Sequence, residues 1–202
     1  MADRTDKHTG GHTVQPQRTV GQYRAIDLSL FALMLIIFET VLIRAAAGWF
    51  PDEPWTVSVT AAITALVMVR WGPWAVIHAV IGGIVFCTVN RGQAQQFLIY
   101  CVGNTASLTV LPLFRKIGWQ KLREDFLLKL LCSVLTVLAM QAGRAVPALM
   151  LGVSPAGVWR MAAMDSITCL FTAVIVWITS RLDGMLEDQA HYLKRLSHEP
   201  EP

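Results

Sequence analysis

The chain alternates long apolar runs with short polar links, and the pattern is clearest over Gly72–Lys116, GPWAVIHAVIGGIVFCTVNRGQAQQFLIYCVGNTASLTVLPLFRK. Two runs there are joined by Asn90–Arg91–Gly92–Gln93. Neither the run between Trp71 and Asn90 nor that between Gly92 and Phe114 holds an Asp, Glu, Lys or Arg. At ~1.5 Å per residue each can cross ~30 Å of hydrocarbon. A soluble helix of that length needs a charged face, and these have none. The stretch reads as a membrane hairpin.

The same pattern along the rest of the chain predicts an all-α membrane protein of six transmembrane helices: about Arg24–Ala47, Pro54–Val69, Pro73–Val89, Gln95–Phe114, Asp125–Leu149 and Pro155–Ser180. The second and third meet at Arg70–Trp71–Gly72–Pro73, a turn in which proline suits the first turn of the next helix. The polar stretch 1–22 is expected to be a disordered tail, since it buries too little apolar surface to offset chain entropy. Residues 23–182 form the membrane domain and 183–202 a solvated extension. No cleavable signal is evident, so the first span is expected to direct insertion.

Composition agrees: 54% of residues are hydrophobic and 15% charged, with a mean hydropathy of +0.48. A soluble domain carries roughly a quarter charged residues. At 202 residues the chain has room for these spans and no second domain. The net charge of +3 comes from basic residues near span ends, which fits retention on the cytoplasmic side better than nucleic-acid binding. Arg4, Lys7, Arg18, Arg24, Arg70, Arg115, Lys116, Lys121, Arg123, Arg181, Lys194 and Arg195 all fall at one predicted side, so both termini are expected to be cytoplasmic. Trp49, Trp55, Trp71, Trp74, Trp119 and Trp159 fall near span ends, as an interfacial aromatic belt would.

Charge inside the spans is costly, roughly 2.5–3.5 kcal/mol for each group at mid-membrane on insertion scales, so each needs a partner or a ligand. Glu39 and Arg44 fall on span one, Gln141 and Arg144 on five, and Arg160 and Asp165 on six. Met161, Asp165, Thr168, Thr172 and Thr179 share a helical face, as do Gln96, Tyr100, Asn104 and Ser107 on span four. These faces predict an outward-opening polar pocket between spans four, five and six. The plainer reading is mutual hydrogen bonding, with an Asp165–Arg144 ion pair at its centre. Four arginines towards one side against Glu39 and Asp165 favour instead a ligand with an acidic group.

Other chemistries have less to stand on. Cys87, Cys101, Cys132 and Cys169 lie far apart in apolar runs without metal-ligand spacing, and read as packing residues. His8 and His12 fall in the tail, and His78 stands alone on span three. No H-E-x-x-H, G-x-S-x-G or P-loop occurs, so an enzyme is not expected and no cofactor is called for.

Six spans with both termini inside, the loop Ala47–Trp55 (AGWFPDEPW), the hairpin VMVRWGPWAVIHAVIGG and the span ending YCVGNTASLTVLPLFRK resemble the substrate-binding S component of an energy-coupling factor (ECF) vitamin transporter. The resemblance covers about Tyr23–Leu182. It implies a bacterial cell-membrane protein that binds a vitamin or related micronutrient from outside. Its partners would be a transmembrane coupling protein and two ATPase subunits that release the substrate inward. Trp49 and Trp55 are then lid or stacking surfaces, Tyr100 and Asn104 polar contacts, and Gln141, Arg144, Arg160 and Asp165 orienting groups, with Arg91 closing the pocket. Docking in that family uses small residues on the first helix. The nearest match here is Ala25-x-x-x-Ser29 with Ala32, followed by Ile36 rather than a further alanine. Ala139-x-x-x-Gly143 is a second small pair, suited to internal packing. The alternative from another class is a non-transporting membrane scaffold subunit, similar to the MreD-like proteins of cell-shape machinery.

Overall fold

The computed structural model describes residues 19–52, 55–182, 185–189 and 192–193, with the side chains of Trp119, Gln120 and Arg123 excepted. Residues 1–18 of the predicted tail 1–22, including His8 and His12, and most of 183–202 lie outside the described residues. Among those described there are helices and no strand: α1 (Val20–Trp49), α2 (Thr60–Trp71), α3 (Ala75–Val89), α4 (Ala94–Asn104), α5 (Leu111–Ile117), α6 (Trp119–Glu124), α7 (Phe126–Met150), α8 (Pro155–Met164) and α9 (Ser166–Thr179).

Five helical stretches are long and apolar enough to cross a membrane: Val20–Trp49, Thr60–Val89, Ala94–Ile117, Phe126–Met150 and Pro155–Thr179. Their outer surfaces are apolar as well. Leu30, Leu33, Ile37 and Val41 on α1, Leu127, Leu131 and Leu138 on α7, and Leu170 and Val174 on α9 are all exposed. An aqueous surface would not carry so many in helical register.

The expected count of six spans changes at Thr60–Val89. This stretch reverses on itself at Gly72, whose φ of 61° lies where side-chain-bearing residues are strained. Along α2, Arg70 bonds Asp27 and Val59 bonds Glu39, so α2 runs antiparallel to α1. Along α3, His78 meets the Leu28 carbonyl oxygen and Asn90 shares a cavity wall with Ala46 and Phe50, so α3 runs parallel to α1. Gly82 packs on Thr60 across the hairpin, with no room for a Cβ. At twelve residues α2 rises about 18 Å, too short to cross hydrocarbon. It is a half-helix, and every residue of it is buried. Packed by α1, α3, α7 and α9, it is the centre of the bundle. Gly72→Ala should destabilise the protein by roughly 1–2 kcal/mol through the left-handed turn alone. Thermal unfolding in detergent measures this, and an unchanged midpoint would refute it.

α1 begins at Val20, ahead of the predicted membrane domain at Tyr23, because Thr19 and Gln22 form a reciprocal capping box. Val20, Gly72, Arg115 and Asp188 line one cavity, so both ends of the described chain emerge at the same end of the bundle, called here the turn end. The opposite, loop end carries Trp49, Phe50 and Asn90. The chain after Leu182 is not simply a solvated extension. Leu186 is buried in the core cluster, and the Met185 carbonyl accepts from Arg70 Nη1 at 3.3 Å.

Trp49, Trp55, Trp74 and Trp159 are exposed near helix ends. Trp71 is the exception to the expected belt. It is buried and donates its indole N–H to Asp27 at 2.6 Å, beside the paired Arg70–Asp27 hydrogen bonds at 2.8 and 2.9 Å.

Candidate functional site: a polar centre built on interrupted helices

Three helical stretches break at the same depth. Residues Trp55–Ser58 are non-helical before α2 begins, Asn104 ends α4 where the chain tightens into a 3₁₀ segment over Thr105–Val110, and Asp165 separates α8 from α9. Non-helical backbone inside a bilayer is tolerated only where protein or a wet cavity satisfies it. Here one break satisfies another. Thr168 N–H turns to the Asp165 carbonyl instead of Met164, which frees the Met164 carbonyl to accept from Thr56 N–H at 3.1 Å. The Thr56 carbonyl in turn accepts from the Thr168 hydroxyl at 3.3 Å.

The start of α2 is closed by a residue from another helix. Glu39 is fully buried, and its Oε2 accepts from Val59 N–H at 2.8 Å. Ser58 Oγ accepts from Thr60 N–H at 3.1 Å. An acid is well suited to cap the positive end of a helix.

At the level of the breaks lies one connected network. Arg144 donates from Nη1 to Asp165 Oδ2 at 2.5 Å and from Nε to Asn104 Oδ1 at 2.7 Å. Gln141 donates to the same Asp165 oxygen at 2.5 Å, and the Thr56 hydroxyl donates to Oδ1. Asn104 donates to the Ala79 carbonyl at 3.0 Å, tying α4 to α3. The Arg144 guanidinium lies 4.5 Å from the Tyr100 ring centroid, and Tyr100 stacks on Phe86 at 4.5 Å. Close approach of α4 and α7 permits this: Gly103 packs on the Arg144 backbone, and Gly143 on the Gly103 carbonyl.

Above the network, at the loop end, Trp55 divides two cavities. One of about 230 Å³ is lined by Phe50, Trp55, Thr56, Phe86 and Asn90 among others. The second, about 430 Å³ and more open, is lined by Trp55, Arg160, Ala163 and Met164. Arg160 is exposed and makes no ion pair among the described residues.

Of the residues predicted from sequence, Tyr100, Asn104, Gln141, Arg144 and Asp165 come together in the network, and Trp55 and Arg160 meet in the cavity above. Trp49 is 77% exposed and lines neither cavity. Arg91 is exposed, in the left-handed conformation (φ 54°) that ends α3, and its neighbour Asn90 forms the wall instead. Ala25 and Ser29 lie exposed on α1, and Ala32 is half-buried. Thr56, Phe86 and Asn90 were missed. The alternation Thr56-Val57-Ser58-Val59-Thr60, rich in β-branched residues, is the signal that could have flagged a non-helical segment there.

Fold and polar centre together are compatible with a multi-pass membrane protein whose helices are interrupted around buried charge. No family profile, curated protein or solved structure matches the chain.

Proposed function

We propose that the chain is the membrane-embedded binding subunit of an ECF-type importer, capturing a vitamin or related micronutrient at the loop end and delivering it inward with a coupling protein and two ATPase subunits. The observation that carries this reading is the coincidence of interrupted helices and buried charge at one depth, with two cavities above them at the loop end. Discontinuous helices supply binding groups to small molecules at mid-membrane in transporters generally. Trp55, Phe50 and Phe86 offer ring surfaces, and Arg160 offers an uncompensated cation for an acidic group. The turn end gathers Arg24, Arg70, Arg115, Lys116 and Arg181, which supports a cytoplasmic side there in a bacterial cell membrane. Exposed Ala25 and Ser29 leave one face of α1 open to a coupling protein.

A second reading has its own support. Asp165 and Arg144 satisfy each other, as a non-transporting, MreD-like scaffold would require. Native mass spectrometry of gently purified protein separates the two. A stoichiometric vitamin-sized ligand is the expected result; lipid alone, with no tryptophan fluorescence response across a vitamin panel, would favour the scaffold.

A further inference from the structure

At the turn end, away from the polar centre, a cavity of about 460 Å³ surrounds the Gly72–Trp74 turn. Three arginines reach it from three elements: Arg24 from α1, Arg70 from α2 and Arg115 from α5. Arg70 is neutralised by its paired bonds to Asp27. The other two are not. Arg24 lies over the Trp74 ring, 4.4 Å from its centroid, and Arg115 extends until its Nη2 stands 3.3 Å from where a Cβ on Gly72 would be. Neither makes an ion pair among the described residues. Asp188 is the acid in the lining, so the cavity keeps an excess of positive charge with the Arg70–Asp27 pair counted as neutral.

Two long cations are thus held over a turn with neither in an ion pair among the described residues. Guanidinium groups match phosphate geometry, and packing on Trp74 fixes one of them in advance. The position is interfacial. Trp74 is 44% exposed at a helix end, and exposed Ile77 and Ile84 follow it at helical spacing along α3. An acyl chain has apolar surface to follow there, and basic pockets between membrane helices accept anionic headgroups.

We infer that this cavity is a phosphate-ester site, with Arg24 and Arg115 as its cationic arms and Trp74 as its wall, filled by the headgroup of an anionic phospholipid. Free inorganic phosphate shares the chemistry, and the test separates the two sources. The inference does not depend on the transport reading.

The full-length protein, delipidated in mild detergent, is offered phosphatidylglycerol, phosphatidylcholine or inorganic phosphate, and bound masses are read by native mass spectrometry. Phosphatidylglycerol is expected to be retained selectively. Arg24→Gln/Arg115→Gln should weaken it roughly twenty-five-fold, at about five-fold for each basic residue. Retention of inorganic phosphate at the same strength, lost in the same variant, would keep the site and overturn the lipid as its source. Equal retention of both lipids, or an unchanged variant, would overturn the site itself. Should the variant fail to fold, the wild type decides by salt: selective retention that vanishes at high ionic strength supports the site, and salt-independent retention overturns it.

Discussion

Arg144→Ala is expected to destabilise the protein by roughly 3–5 kcal/mol, because it leaves Asp165 buried without its counter-charge. The structure makes the cost specific. Asp165 has only Gln141 and the Thr56 hydroxyl left to donate to it, Asn104 Oδ1 loses its donor, and Tyr100 loses the cation packed on its face. This variant would separate a binding site from a structural pair only by losing ligand while keeping expression. With the ion pair at 2.5 Å it cannot, since the fold suffers whichever role Arg144 has.

The paired variant Arg144→Met/Asp165→Leu separates them. Replacing both members of a buried ion pair by apolar groups is often close to neutral or stabilising. The thermal midpoint should therefore recover most of what the single variant loses. If the centre binds ligand, the paired variant folds and has no copurifying small molecule. A folded paired variant that still retains its ligand would remove Arg144 and Asp165 from the site.

Much of this centre was legible in the sequence because helical periodicity survives burial. Tyr100 and Asn104 are four apart, Gln141 and Arg144 three apart, and each pair presents one face whatever its helix packs against. Their convergence on Asp165 follows from adjacent helices turning polar faces inward. The residues that did not converge were assigned on weaker grounds. Trp49 and Arg91 sit at helix ends, where one residue of difference at a boundary decides between cavity wall and exterior. At the Asn90–Arg91 turn that difference puts Asn90 on the wall.

The half-helix was illegible for a different reason. Pro54–Val69 is as apolar as a spanning helix, and hydropathy cannot tell a residue surrounded by protein from one surrounded by lipid. α2 is apolar because it is enclosed on every side, and it stops short because Glu39 on α1 supplies its cap at mid-depth. That contact joins residues twenty apart, beyond any periodic signal. Leu186 escaped in the same way, since it and Met185 form only a short apolar pair after the last span, yet dock on the core.

Gly143→Val should cost ~3 kcal/mol, the upper range for overpacking. A Cβ there would collide with the Gly103 carbonyl oxygen and the Ala106 methyl. The first is backbone and the second has no rotamer to change, so relief must come from moving α4 against α7. The opposite side of the contact is equally closed, since a Cβ on Gly103 would lie 2.6 Å from the Arg144 Cα. Separating the two helices also lengthens the 2.7 Å bond between Arg144 Nε and Asn104, and with it the tie from Asn104 to Ala79 on α3. Ala139→Val, one turn earlier on α7 at a half-buried position, serves as the control and should cost distinctly less. Thermal unfolding of the two variants in detergent makes the comparison. Equal losses would mean that the α4–α7 contact can yield, and that the polar centre is held by its own hydrogen bonds. A loss confined to Gly143→Val would locate the rigidity of the centre in the glycine contact, which sets Arg144 in place before any ligand arrives.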